Sequence, residues 1–436
     1  MPKNLFVMGL DAFNRAKLAG LPEAQECRFH GLLAPADFAV AGSLPVATLL
    51  DRARRQLAAF PGTVDGLIGY MDFPVSTMLP VLCREYGLRS PTLEGVLQCE
   101  HKYWSRLVQQ RAVPAHIPRF RLVDPFAADP AAGLDLAYPF WLKPVKSFGS
   151  HLGFRIRGPG DWRRALAAIR TTLPRLAEPF DALLGLAHLP DAVAGIGGRY
   201  CLAEALVGGR QCTLEGAVFQ GHVRVHGAVD AIRYPNRSSF LRYEYPSRLP
   251  RRVLARMEEV LARFLAEAGL DQAGFNAEFF WDRPRDRIWL LEVNTRIAQH
   301  HSDLFEKVDG VANHQVPVRL ALGRDPAFPH GRGRFHRAAV FFLRRFRDGV
   351  VTAVPDPETL SRLERAYPGT VIKLEVTPGT RLSALPEQDS YSYILALIYL
   401  GAQSRGALLQ RYREVAAVLA SELAFEDTGG AGAYGR

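Results

Sequence analysis

Phe275–Arg296, FNAEFFWDRPRDRIWLLEVNTR, decides how the chain is read. Two strand-like runs flank a polar turn, DRPRDR, with Pro284 at the bend. A hairpin centred on Arg285 sets residue i opposite residue 570 − i, so Glu278 stands across from Glu292. Asn294 shares that face, because strand side chains alternate. Phe279 and Trp281, with Trp289, Leu291 and Val293, make the opposite, apolar face, which belongs in a core. The polar face puts two carboxylates and an amide at the centre of a sheet, and like charges directly opposite each other repel. A hard divalent cation between them removes that cost; carboxylate and amide oxygens suit Mg²⁺, with Mn²⁺ an acceptable substitute. From the hairpin alone, a cation site and a solvated strand face neutralised by nearby Lys or Arg both stay open.

The chain has 436 residues, 48% of them hydrophobic, and a mean hydropathy of −0.04. That is enough for about three domains with a large core. No apolar run reaches the roughly 18 residues of a membrane span, and the N-terminus, MPKNLFVMGLD, does not read as a signal peptide. The five cysteines, Cys27, Cys83, Cys99, Cys201 and Cys212, are scattered and lack metal-ligand spacing, so a reduced, cytoplasmic protein is expected. The formal charge of +10 comes from dispersed basic residues. It fits anionic small molecules such as nucleotides; with no nucleic-acid motif or membrane segment, neither partner is expected.

Taken in order, NLFVMGL (4–10) and DGLIGYM (65–71) read as buried parallel strands. Leu79, Leu82, Cys83 and Tyr86 recur at helical spacing before Gly87, and a short strand towards Pro91 would complete a βαβ unit. Asp72, Ser76 and Thr77 sit at a strand end, read first as a helix cap and second as substrate contacts. Glu100–Arg111 is helical and 119–124 is a strand. YPFWLKPVK (138–146) is a strand with Trp141 and Lys143 on one side. The following SFGSHLG (147–153) suits a β-turn whose N–H groups wrap phosphate, a reading strengthened by Lys143 and Lys146 beside it. It is not a Walker loop. A helix over 161–169 with Asp161 as its cap, a mobile loop within 171–198 and a β-meander over 199–232 follow. The polar run 233–250 carries Arg233, Arg237, Arg242 and Arg248, which either meet an anionic substrate or are solvated. Residues 251–269 form an amphipathic helix, and 297–323 run into another. His300, His301 and His314 lack ligand spacing and read as packing or hydrogen-bonding residues. Short strands over 336–382, then SYSYILALIYLGA and a final helix, make an α+β cap before a Gly-rich tail.

This constellation resembles the ATP-grasp superfamily, and within it the carbamoyl-phosphate-synthetase and biotin-carboxylase branch. LLEVNTR (290–296), followed by histidine and then ALG, is similar to that branch's acidic-Asn-Arg motif. The resemblance implies a chain both α/β and α+β: an N-terminal doubly wound α/β domain (1–98), an ATP-grasp domain (99–325) with a lid around 124–208, and a C-terminal α+β cap (326–436). It implies ATP and Mg²⁺ as cofactors. Lys102 and Lys143 match the two nucleotide lysines, and Ser147 to Gly153, with Gly149 and Ser150 inside it, matches the lid loop beside Lys146. Glu204 matches the hinge acid near adenine, and Gln211 stands where many relatives carry a ribose-binding Glu. Glu278, Glu292 and Asn294 match the metal ligands, and Arg296 the arginine that holds reacting phosphate or carboxylate; Arg296 and Lys143 are the implied catalytic pair.

The implied chemistry is ATP-dependent activation of a carboxylate as an acyl phosphate, attacked by an amine, with ADP and phosphate released. Phosphoryl transfer asks for positioning and charge neutralisation, which lysines, a lid and carboxylate-held metal provide. Small-molecule acid and amine substrates follow, and a homodimer is compatible with the branch. The IAQHHSD run departs from biotin carboxylase by one residue, and no biotin-carrier segment is present. Bicarbonate activation and a catalytically silent ATP-binding module are the competing expectations.

Overall fold

The computed structural model describes residues 1–38, 45–147, 151–235, 238–385, 388–389 and 391–427. The chain divides into two compact units: 1–227 with 249–299 and 314–328, and 228–248 with 300–313 and 329–436.

The first unit opens with strand β1 (Lys3–Met8), helix α1 (Ala12–Ala19), β2 (Cys27–Leu32), α2 (Val46–Ala58), β3 (Gly66–Ile68) and α3 (Val75–Glu85). The three strands pair in parallel in the order β2-β1-β3. A run such as LFVM, buried on both faces, is what a parallel strand needs. The strand expected before Pro91 is absent. Pro91 leads instead into α4 (Leu93–Glu100), whose Thr92 cap accepts the Gly95 N–H at 3.1 Å. Next comes α5 (Lys102–Ala112), split from α4 by the extended backbone of His101.

Then follow β4 (Phe120–Val123), β5 (Phe140–Pro144), β6 (Phe154–Ile156), α6 (Pro159–Leu184) and β7 (Cys201–Ala205). They form an antiparallel sheet in the order β4-β7-β5-β6, its apolar side packed on α6. Two sequence expectations need correction here. Helix α6 runs through Pro174 and Pro179 because its buried stripe, Trp162 to Leu184, outweighs the two lost N–H bonds. Asp161 is its third residue, not its cap; the carboxylate reaches back to the Arg157 N–H at 3.0 Å. Much of the segment after α6 is fixed: Val193 is fully buried and the Gly198 N–H donates to Asp181.

The expected meander is also divided, since β7 belongs to this sheet while β8 (Arg210–Phe219) pairs elsewhere. After β9 (His222–Arg233) and β10 (Phe240–Tyr245), helix α7 (Arg251–Glu267) leads to the hairpin β11 (Ala273–Asp282) and β12 (Arg287–Asn294). In the first unit these strands run in the order β12-β11-β8, so β12 lies at an edge rather than the centre. Glu278 faces Glu292, as the parity argument requires. Leu291 is then an extra residue: Phe279 pairs with Leu290, and the bulge exchanges the faces of β12. Ile288 and Leu290 are therefore buried with Phe279 and Trp281, whereas Trp289 and Leu291 are only half-buried and Trp289 lies under the Arg287 guanidinium.

In the second unit the end of β9 and β10 pair antiparallel, so the polar run 233–250, expected to lack regular structure, contains a strand. Arg242 is buried against Glu244, Arg233 stacks on Phe240, and Arg237 lies outside the described residues. Helix α8 (Ser302–Asp309) ends at Gly310, φ +88°, so 297–323 is not one helix; α9 (Gln315–Ala321) belongs to the first unit. The remaining elements are β13 (Arg337–Arg345), β14 (Val350–Ala353), α10 (Pro357–Ala366), β15 (Val371–Leu374), β16 (Tyr393–Ala402), α11 (Arg405–Glu422) and β17 (Ala424–Glu426). Strands β10, β13, β16 and β15 are neighbours in that order and antiparallel, and α11 packs its Leu408, Val415 and Leu419 on β13 and β16. The Gly-rich tail from residue 428 lies outside the described residues.

Candidate active site

The site is built on one face of the β12-β11-β8 sheet. Cross-strand pairing sets Thr213, Glu278 and Glu292 in one row and Glu215, Asn276 and Asn294 in the next. Directly paired residues point to the same side, so this row structure puts three carboxylates and two amides on one surface. Gln211, two residues before Thr213, donates to Glu278 Oε2 at 2.8 Å. Glu215 is fully buried; it accepts from Asn276 Nδ2 and the Ala298 N–H, each at 3.3 Å, and so anchors the segment just after Arg296.

Cationic side chains line the rest. Lys102 opens α5 because His101 caps it: the His101 Nδ1 accepts the Trp104 N–H, and its other ring nitrogen bonds the Ile196 carbonyl at 2.8 Å. Lys102 Nζ donates to the Ser147 carbonyl at 2.6 Å and lies 3.8 Å from Glu292 Oε2. Burial pushes its ammonium pKa down, with Glu292 opposing and Lys143 and Lys146 adding to the fall. Lys143, on the Trp141 side of β5, meets Glu204 Oε2 at 2.7 Å. Glu204 also takes Arg106 Nε at 2.6 Å, and Arg106 reaches the Leu290 carbonyl at 3.2 Å, beside the bulge. Burial would raise the Glu204 carboxyl, but Arg106 and Lys143 outweigh it and hold it at about 2.

A second network closes the far end. Arg296 Nη2 donates to Asp72 Oδ2 at 2.7 Å, and Lys146 Nζ lies 2.6 Å from Glu100 Oε2 and 3.4 Å from Asp72 Oδ1. Ser76 and Thr295 hydroxyls donate to the two Glu100 oxygens at 2.9 and 2.6 Å. Burial alone would raise the Asp72 carboxyl; Lys146 and Arg296 hold it far below the usual carboxylate range. Asp72 and Ser76 are thus members of an ionic network rather than helix caps, while Thr77 bonds only locally, to the Pro74 carbonyl. Lys146 is engaged by two carboxylates, an arrangement that suits a fixed positioning cation better than a phosphate ligand.

Of the lid residues, Ser147 is in contact with Lys102 and Gly153 is buried before β6; Gly149 and Ser150 lie outside the described residues. Sequence reasoning missed Arg106, Glu215 and Asn276 and did not single out Glu100. Strand parity with Gln211 and Glu278 could have found Glu215 and Asn276, and the i,i+4 spacing from Lys102 could have found Arg106. Among the described residues no cluster of three His, Cys, Asp or Glu forms a metal site. His314 instead bonds Asn14 at 2.8 Å, and His301 packs edge-on to Tyr243.

No protein-family model matches the sequence, and no curated protein matches it. Solved structures do match the fold. An L-amino acid ligase from Bacillus licheniformis superposes with TM-score 0.70 at 16% identity, over 98% of this chain and 99% of that one. The N5-carboxyaminoimidazole synthase from Aspergillus clavatus, solved with ADP and 5-aminoimidazole ribonucleotide, gives 0.66 at 16% identity over 96% and 99%. The chain has the ATP-grasp fold. The biotin carboxylase domain of the Hydrogenobacter thermophilus 2-oxoglutarate carboxylase, solved as a dimer with MgADP, ADP and bicarbonate, shares the ATP-grasp fold at TM-score 0.65 and 15% identity, over 98% and 91%.

The ATP-grasp frame invites a test of fit for magnesium and nucleotide. Glu278 and Glu292 face each other, Glu292 with a third of its side chain exposed, and Asn294 adds an amide on the same side. Two carboxylates and an amide make an all-oxygen donor set for a hard cation, so the residues fit. Lys102 and Lys143 beside them fit an anionic partner of that cation.

Proposed function

We propose that the protein is an ATP-dependent ligase that activates a carboxylate as an acyl phosphate for attack by an amine, releasing ADP and phosphate. The observation that carries this reading is the opposed pair Glu278 and Glu292 with Lys102 set 3.8 Å from Glu292. An anion-binding surface and a cation-binding surface then share one wall, as a metal–nucleotide complex requires.

In this reading Glu278, Glu292 and Asn294 hold Mg²⁺, which supplies neutralisation of phosphate charge. Lys102 and Lys143 bind the nucleotide phosphates. Glu204 fixes Lys143 and marks the hinge beside the base. Gln211 steadies Glu278 through its 2.8 Å hydrogen bond, a role its geometry supports better than ribose binding. Arg296 holds the reacting carboxylate, with fork geometry that a lysine lacks. Segments 1–98, 99–325 and 326–436 are the three working domains of the proposal, with a lid around 124–208. ADP release that requires Mg²⁺, an acid and an amine together tests it; release with bicarbonate in place of the acid would point to carboxylase chemistry instead.

A further inference from the structure

The Asp72–Arg296 pair suggests which acids are activated. This inference rests on the ligase reading above. Asp72 Oδ2 and Arg296 Nη2 are 2.7 Å apart, and the two side chains keep 18% and 20% of their surface exposed. Neither is sealed in the core, unlike Glu100 beside them at 1%. A guanidinium carries five N–H donors; the bonds to Asp72 and, at 3.5 Å, to the Ile297 carbonyl account for two. Asp72 accepts from Arg296, from the Phe73 N–H at 2.7 Å and from Lys146 at 3.4 Å.

The formal charges of Asp72, Glu100, Lys146 and Arg296 cancel, two acids against two bases. A plain carboxylate approaching Arg296 therefore meets the repulsion of Asp72 at nearly the same range, and gains little. A molecule with an ammonium group beside its carboxylate gains at both poles: its carboxylate lies against the free edge of Arg296 and its ammonium against Asp72. The separation of opposite charges in an α-amino acid matches the contact distance of the pair.

We propose that Asp72 and Arg296 form a zwitterion clamp, and that the activated acid is an α-amino acid, with Asp72 the residue that selects its ammonium group. The clamp places the carboxylate so that one of its oxygens attacks the γ-phosphorus of ATP; the bond from that phosphorus to the bridging oxygen breaks and ADP leaves. When hydroxylamine is the acceptor, its nitrogen attacks the acyl carbon, phosphate leaves with the former carboxylate oxygen, and the nitrogen proton goes to solvent.

The test measures Mg²⁺-dependent ADP release and hydroxamate formation by the full chain. The twenty L-α-amino acids are compared with their des-amino analogues, such as alanine with propionate and phenylalanine with 3-phenylpropionate. Amino acids are expected to exceed their analogues in kcat/KM by about 10- to 100-fold, the worth of a hydrogen-bonded charge. Asp72→Asn should move the two classes in opposite directions, raising KM for amino acids and lowering it for plain acids, with KM for ATP unchanged. A variant that merely folds poorly would weaken both, and Asp72→Glu, which keeps the charge, should restore part of the preference. Equal or better turnover of des-amino acids by the unaltered protein would overturn the clamp while leaving the ligase reading intact. Release with neither class would overturn the ligase reading and the clamp with it.

Discussion

Arg106→Leu should destabilise the first unit by about 3–4 kcal/mol. The guanidinium is 2% exposed and holds Glu204 at 2.6 Å, Leu290 O at 3.2 Å and the Gln109 side chain. Removing one partner of a buried ion pair costs about 3–5 kcal/mol, because the other charge is left in low dielectric. The Leu290 carbonyl and Gln109 each lose a donor, worth about 1 kcal/mol apiece. Two features reduce the sum. Lys143 stays 2.7 Å from the other Glu204 oxygen, and the substitution removes the Arg106 Nη2 group, which is buried without a partner. Urea denaturation followed by tryptophan fluorescence measures the loss, since all five tryptophans, 104, 141, 162, 281 and 289, belong to the first unit. Adding Glu204→Leu to Arg106→Leu should recover part of it, by removing the stranded carboxylate. A loss below about 1 kcal/mol for Arg106→Leu alone would refute the claim that Arg106 compensates a charged Glu204.

Acid should weaken the protein before its ordinary carboxylates titrate. Burial pushes His101 down to about 4 and His314 down to about 3 from 6.5, so the unfolded chain takes up protons that the folded chain refuses. Stability is full above pH 6.5 and falls by about 1.4 kcal/mol per pH unit for each histidine as pH drops below it. Denaturation midpoints taken between pH 7 and 5 should show this, with His101→Gln reducing the slope; a flat profile contradicts it. Gly209→Ala should cost about 1–3 kcal/mol in thermal unfolding. At φ +132° a Cβ would meet the Trp281 carbonyl oxygen at 2.2 Å, a backbone atom that cannot swing aside. An unchanged melting temperature would mean the strand has room to shift.

The legible part of the sequence was local. Parity alone placed Glu278 against Glu292, because hairpin register follows from the turn and the alternation. It failed at the next residue towards the turn, since the bulge at Leu291 is stabilised by partners such as Arg106, which reaches the Leu290 carbonyl from 184 positions away in the chain. In the sequence of α6, Pro174 and Pro179 signal a break; the buried stripe that overrides them is a tertiary effect. The same limit hid the role of Asp72. A strand-end Asp before a helix reads as a cap, and only the folded chain brings Arg296 to it from 224 residues away. Lys102, Lys143 and Glu204 were singled out by resemblance, while the pairing of Lys143 with Glu204 and of Lys146 with Glu100 needed the fold.

The central claim is that the Glu278–Glu292 face serves phosphoryl transfer to a carboxylate. It is tested most directly by ADP release from Mg·ATP by the unaltered protein and by Glu292→Gln, with acid–amine pairs and with each substrate omitted in turn. The account predicts release only when acid and amine are both present, and its loss in Glu292→Gln, whose folded structure should be retained because Glu292 is a half-buried edge-strand residue. Turnover near the unaltered level in Glu292→Gln would contradict it.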